Sequence, residues 1–485
     1  MAEPRMLIDG KLVESSSGAT FENVNPATEE VIGSTADATV DDAHAAVGAA
    51  RRAFDETGWA TDHAFRANCL RQLQAAMLEA RQEIVDTLVA EAGSPVSLAP
   101  IIQFDLPVAW LEHWATMAET YPYEKPLETT KVFGQSHRGV ERREPTGVVT
   151  AITPFNYPIF VNIAKVGPAL GAGDTVVLKP SPDTPWSATL MGRIVAEKTD
   201  IPAGVFNVVT SSSAEVSESL VTDPRVDMIT FTGSTVTGRR IMHGSADTVK
   251  KCFLELGGKS ANIVLDDADF GLALALAAGW VCTHSGQGCA SYTRLLLPRS
   301  RYDEGVEIAK GHFENARVGD PTDPAILHGP QINARQREKV LGLIQTGVEE
   351  GARLLVGGGK PADPPRGYYV QPTLFTDVKP DMTIAQEEFF GPVLVVIPYD
   401  DEDDAVEIAN NSIYGLSGSV WSSDEERALA VARRIRTGTV SINGSQWLHP
   451  TRAFGGYKQS GIGRENGIEG FEEYLETKVV SLPGG

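Results

Sequence analysis

From Gly147 onward, short β-branched runs alternate with helical stretches, a rhythm that admits few folds beyond parallel strands joined by crossover helices. Strands are expected at 148–152, 175–179, 205–210, 228–231 and 252–256, with helices starting near Pro158, Thr184, Ser213 and Thr235. A doubly wound sheet of this kind binds ligands beyond the carboxyl ends of its strands. After Gly258 the alternation restarts, with strands at 262–265, 295–297, 393–398 and 439–442 and helices from Asp269 and Asp404. A second α/β domain is therefore expected. The chain's 485 residues exceed the size at which a single core keeps growing.

Upstream, residues 7–13 read as a hairpin around Asp9-Gly10, and 40–54, 64–92 and 108–120 carry apolar residues at helical spacing. Segment 124–143 carries alternating residues and, together with 478–482, is expected to form strands that pair outside either core, a small β arm. The fold class is thus α/β, two doubly wound parallel-sheet domains plus that arm. A formal charge of −22 repels phosphates, so nucleic acid and anionic membrane are poor partners. The longest apolar stretch, 270–282, is too short for a membrane span. Met1-Ala2-Glu3-Pro4-Arg5 has no basic and apolar leader, which points to the cytoplasm. Four cysteines in so long a chain make no disulfide scaffold, and Cys282, His284 and Cys289 match no paired zinc knuckle, so no metal is expected.

Cys289 stands in Gly286-Gln287-Gly288-Cys289-Ala290, a glycine-flanked turn where a small substrate can approach the sulfur. A polar, partly open setting of that kind is expected to lower the thiol's pKa from ~8.5. The competing reading is a small buried residue. Glu255 ends an apolar run just before Gly257-Gly258, as a base or as a salt-bridged strand end. Asn156, just before Pro158, is placed either to cap the helix or to donate its side-chain amide to a developing oxyanion. The glycines of Gly357-Gly358-Gly359-Lys360-Pro361-Ala362 imitate a dinucleotide fingerprint, but Pro361 prevents the helix it requires. Phe231-Thr232-Gly233-Ser234-Thr235-Val236-Thr237-Gly238 is the better phosphate turn, because it follows a strand and opens a helix.

Together these motifs resemble the aldehyde dehydrogenase family, in the right order over nearly the whole chain. Lys179-Pro180-Ser181, Glu388-Phe389-Phe390-Gly391-Pro392 and Phe454-Gly455-Gly456-Tyr457-Lys458 extend the match. The resemblance implies Cys289 as nucleophile, Glu255 as general base, and Asn156 with the Cys289 N–H as oxyanion hole. It implies that Lys179 and Glu388 hold the cofactor riboses and that Gly233 and Ser234 meet the pyrophosphate. Phe390 would pack near the nicotinamide, with Ser181, Ile152 and Phe155 completing the cofactor site. A cofactor domain of residues 1–123 and 144–256, a catalytic domain of 257–458, and bridging segments 124–143 and 459–485 follow by the same resemblance. So does a homodimer or homotetramer.

Pro182 stands where many NAD-preferring members carry glutamate, so NAD is the expected cofactor with NADP left open. Phe155 and His284 stand where tryptophan and asparagine are frequent. Tyr157, Trp110, Trp447 and Phe454 match or adjoin the substrate tunnel and favour an apolar or aromatic aldehyde, while Arg452 is a candidate for a substrate carboxylate. The resemblance implies oxidation of that aldehyde to its acid through a thioester on Cys289. The runners-up are a coenzyme A-acylating enzyme, which Glu255 argues against, an idle family member serving as a binding protein, and a cofactor-free thiol hydrolase.

Overall fold

The computed structural model describes residues 3–484; Met1 and Ala2, where the reading for a leader begins, lie outside the described residues. Two large sheets and a three-stranded arm organise the chain. In the first sheet five parallel strands run in the order Lys251–Glu255, Met228–Thr232, Val148–Ile152, Thr175–Lys179, Phe206–Val208. Antiparallel pieces close its edges, Gly461–Ile462 on one side and the Met6–Ile8 and Lys11–Val13 hairpin on the other.

The pleat explains why these runs are apolar throughout. Val149, Ala151, Val176 and Leu178 enter one core, while Val148 and Val177 enter another on the opposite face. Helices cover both faces, so every position in the strand gains from being apolar, at about 1.5 kcal/mol or more for each fully buried valine. Their starts are marked locally. Pro158 and Pro185 open helices at Pro158–Ala172 and Pro185–Lys198, and Ser213 caps Ala214–Thr222 by accepting from the Glu215 N–H.

The second sheet runs Arg353–Val356, Thr373–Thr376, Val393–Tyr399, Arg294–Pro298, Ala261–Val264, Gly418–Trp421, Ser441–Ile442, and only its Arg353–Val356 edge is antiparallel. Leu475–Pro483, Gln135–Pro145 and Glu124–Val132 form the arm expected of 124–143 and 478–482. The stretch 64–92, helical throughout by spacing, is two helices, His63–Glu79 and Arg81–Ala92. Ala80 between them has left helical geometry at ψ 8°, and no glycine or proline announces the break.

From Val148–Ile152 the chain first builds outward through Thr175–Lys179 and Phe206–Val208. It then returns to the other side of its starting strand with Met228–Thr232. That reversal makes the carboxyl ends of Val148–Ile152 and Met228–Thr232 a switch point, and doubly wound sheets hold ligands in the crevice at such a point.

Candidate active site

Two carboxyl-end features, Asn156 and Glu255, meet the Cys289 turn around this crevice. Asn156 lies in the turn between Val148–Ile152 and Pro158–Ala172, where its buried side-chain Nδ2 donates to the Gln287 carbonyl at 2.6 Å. Gln287 is two residues from Cys289, so an amide from the first sheet and a thiol from the second share one wall. Glu255 ends its strand in register with Thr232 on one side and Gly461 on the other. Three residues later the chain passes so near Cys289 that a Cβ on Gly258 would stand 2.5 Å from the Cys289 carbonyl oxygen.

Glu255 is 3% exposed and neither carboxylate oxygen has a hydrogen-bond partner. Burial, then the nearby Glu465 charge, pushes its pKa well above the usual carboxylate range, against the pull of Lys165 and Arg464. A salt-bridged strand end would show the reverse. Such a carboxyl is a stronger base than an exposed one and is matched to proton transfer nearer neutral pH. Gly455 makes room for it: a Cβ there would come within 2.7 Å of Glu255 Oε1.

The thiol departs from expectation. Burial pushes Cys289 upward, and the charge of Glu255 adds to the effect, followed by Glu388 and Glu465. Flanking glycines do open the turn, and Cys289 keeps part of its surface exposed. Burial and these three carboxylates all favour the neutral thiol. Burial also lifts Cys69 and Cys282 to about 12, so acidity does not single out Cys289; its neighbours do. With Cys289 and Glu255 both raised, and both active when deprotonated, kcat/KM is expected to climb with pH across the neutral and mildly alkaline range. A flat profile of initial rates would contradict it.

A buried pair supports Glu255 from behind. Lys165, 0% exposed, donates from Nζ to Glu465 Oε1 at 2.9 Å and to Thr230 Oγ1 at 3.2 Å, and sits 4.6 Å over the Phe253 ring. Sequence reasoning missed it, although one lysine in the apolar run Pro158–Ala172 was a usable signal. Lys165→Met leaves Glu465 without its counter-charge beside Glu255 and is expected to cost about 3–5 kcal/mol of stability. Denaturant unfolding reads this, and adding Glu465→Gln should return most of it.

The residues assigned to a dinucleotide fit one. Gly233 lets the chain pass tightly after Met228–Thr232, since a Cβ there would collide with the Phe231 ring. Ser234 caps Thr235–Ser245 by accepting from Thr237 N–H at 3.2 Å, and the helix start opens to solvent, with Val236 74% exposed. Free first-turn N–H groups and the helix dipole favour phosphate oxygens there. Lys179 ends its strand beside Ile152, its register partner, and burial lowers it to about 8 against the pull of Asp183 and Asp37. Ser181 donates to Asp183 at 3.3 Å. Glu388 Oε1 accepts from the Gly258 N–H at 2.8 Å, and its Oε2 hangs over Gly257. Phe390 packs edge-on against Phe155, ring centroids 5.7 Å apart.

The tunnel candidates form two groups. Trp110 meets Phe160 at 5.1 Å, and Phe160 meets Tyr157 at 6.5 Å; Tyr157 in turn feels the Cys289 charge. Trp447 stacks flat on Phe454 at 4.7 Å. Arg452 is exposed and donates to the Gln446 carbonyl at 2.5 Å, so its guanidinium is engaged in its own loop.

Residues 12–480 match the aldehyde dehydrogenase family. A 3-succinoylsemialdehyde-pyridine dehydrogenase of Pseudomonas sp is 44% identical over 481 residues, 98% of this chain and 97% of that protein. A point mutant of betaine aldehyde dehydrogenase from Staphylococcus aureus, solved with NAD+ and a BME-modified cysteine, superimposes with a TM-score of 0.96 at 34% identity, covering 100% and 98% of the two chains. A cysteine-to-alanine mutant of aldehyde dehydrogenase C from Pseudomonas syringae, solved with NAD+ and octanal, gives 0.93 at 40% identity over 99% and 96%.

Proposed function

Because the chain belongs to the aldehyde dehydrogenase family, we propose that its NAD-dependent oxidation of an aldehyde to a carboxylic acid is carried by Cys289, Glu255 and Asn156 in the crevice. The observation that carries this assignment is the buried, unpartnered Glu255 carboxyl, whose charge acts on a thiol that shares a wall with the Asn156 amide.

Deprotonated Cys289 Sγ adds to the aldehyde carbon, and the electron pair of the C=O bond moves to oxygen. The Asn156 Nδ2–H not given to Gln287, with the Cys289 N–H, holds that oxyanion. A nicotinamide dinucleotide held by Lys179, Ser234 and Glu388 would supply the acceptor for the hydride that leaves the same carbon. The C=O bond reforms and the acyl group remains on Cys289 as a thioester. Glu255 then takes a proton from water as its oxygen attacks the acyl carbon; the C–S bond breaks, the acid departs and the sulfur returns as thiolate. Sulfur serves both halves, because it adds readily and leaves readily.

Lys179, Ser181, Gly233, Ser234 and Glu388 are the proposed dinucleotide contacts, flanked by Ile152, Phe155 and Phe390. With Asp37 and Asp183 beside Lys179, the site around that lysine carries more negative than positive charge, which supports NAD over NADP. The aromatic groups at Trp110, Tyr157, Trp447 and Phe454 support an apolar or aromatic aldehyde, in keeping with the pyridine semialdehyde and octanal of the similar proteins. The β arm exposes Phe133, Val132 and Val479, which supports a homodimer or homotetramer. Among the described residues no helix is long and apolar enough to cross a membrane, and a cytoplasmic enzyme is our reading.

A panel of aldehydes assayed with NAD and with NADP, with Cys289→Ala as the blank, tests the assignment. Acid should form from aldehyde and NAD alone. A strict need for coenzyme A would establish the acylating reading instead, and hydrolysis without nicotinamide reduction would establish the thiol hydrolase.

A further inference from the structure

His284 and Ser285 both occupy the left-handed region, at φ 50° and 55°, and Gly286 follows at 68°. Two consecutive residues with side chains adopt that conformation only where their surroundings hold it. Here Gln331 Nε2 donates to the Ser285 carbonyl and hydroxyl, both at 2.8 Å, and the same hydroxyl meets His328 Nε2 at 3.1 Å. At Gly286 a Cβ would overlap the Gly391 carbonyl, so the turn is closed from that side as well. The outcome is a fully buried His284 ring turned under Asn156, with the Tyr157 ring 5.3 Å away.

His284 Nε2 lies 2.7 Å from the main-chain oxygen of Asn156. A carbonyl only accepts, so Nε2 must carry the hydrogen. Nδ1 is then a bare acceptor, and it is buried without a hydrogen-bond partner. Gln103 Nε2 reaches the same Asn156 oxygen at 3.4 Å, a much weaker hold. The Asn156 side chain is tied to the Gln287 carbonyl, and the Gln287 backbone N–H donates to the His284 carbonyl at 3.2 Å. Both anchors of Asn156, on its main chain and on its amide, therefore come from the one left-handed turn that leads into Cys289. A donor displaced by about 1 Å costs on the order of 10²-fold in rate, so an anchor of this kind bears directly on turnover.

We propose that His284 is a positioning residue: its Nε2–H fixes the Asn156 main chain so that the Asn156 amide points at the oxygen of an aldehyde held at Cys289. The proposal rests on the reading of Asn156 as oxyanion donor.

Four variants test it: His284→Phe keeps a ring without a donor, His284→Gln restores an N–H donor, and Asn156→Ala is made alone and combined with His284→Phe. kcat, KM and NAD affinity by fluorescence are measured for each. Asn156→Ala should lower kcat about 10²- to 10³-fold. His284→Phe should lower kcat about 10- to 10²-fold with NAD affinity unchanged, and His284→Gln should recover most of that loss. The double variant should be no slower than Asn156→Ala, since nothing remains to be positioned. In the unmodified protein, nitrogen NMR should find His284 protonated on Nε2 alone, a readout that needs no variant to fold. Full kcat in His284→Phe, a loss that multiplies with that of Asn156→Ala, or a proton on Nδ1 would each overturn the proposal. Full kcat in Asn156→Ala would remove the oxyanion reading beneath it and is seen separately, in the single variant.

Discussion

Cys289→Ala is expected to lower NAD-dependent aldehyde oxidation by about 10⁴-fold or more, because it removes the sulfur to which the acyl bond is proposed to form. Tyr157, whose ring approaches the same turn, is pushed upward chiefly by burial, which the substitution leaves in place, so its phenol is no substitute. The substitution removes one sulfur from a half-buried position and leaves the packing of the turn intact: Gly258 still passes over the Cys289 carbonyl, and Asn156 still reaches Gln287. Thermal unfolding should therefore be nearly unchanged. Dinucleotide affinity should persist too, since Lys179, Ser234 and Glu388 hold their places without the sulfur. Titration of NAD by fluorescence, beside steady-state rates, checks both halves. A variant that retains substantial turnover would place the nucleophile elsewhere.

Glu255→Gln divides the reaction in time. The glutamine keeps the shape of a carboxyl that already lacks hydrogen-bond partners, and it removes the repulsion from Glu465. Folding is thus preserved, while no carboxylate remains to take the proton from water. Rapid mixing should show about one equivalent of reduced nicotinamide per site, followed by a steady rate lower by about 10²- to 10⁴-fold. A second consequence follows from charge. Glu255 raises the Cys289 pKa, so alkylation of the thiol should begin at lower pH in Glu255→Gln than in the unmodified protein. A slowed burst would mean that Glu255 acts before the thioester forms; an unslowed steady phase would mean that another base serves water.

The parallel strands were legible because both their faces are covered: runs such as 148–152 and 175–179 cannot alternate, so their ends stand out against polar turns. The hairpin Thr20–Asn25 with Glu30–Ala36 was not, since its polar, glycine-broken residues carry little strand signal. Cys289, Glu255 and Asn156, the residues proposed for the chemistry, each sit in a local motif that marks them as candidates. Lys165 and Glu465 are 300 residues apart and meet only because the Gly461–Ile462 edge strand brings the following turn over the first sheet. The direction of the Cys289 shift was hidden for a related reason. Flanking glycines show that the turn is open, but the carboxylates that oppose a thiolate arrive from 255, 388 and 465. Nothing in Thr283-His284-Ser285 announces left-handed backbone either; the residues that hold it, Gln331 and His328, come from a later loop.

Mass spectrometry of Glu255→Gln after one burst with aldehyde and NAD shows which residue carries the acyl group. A mass gain equal to the acyl group is expected on the peptide that contains Cys289, absent when NAD is omitted and released by an added thiol. Reduced nicotinamide formed in full with Cys289 unmodified, or the acyl group found on another residue, would contradict Cys289 as the nucleophile.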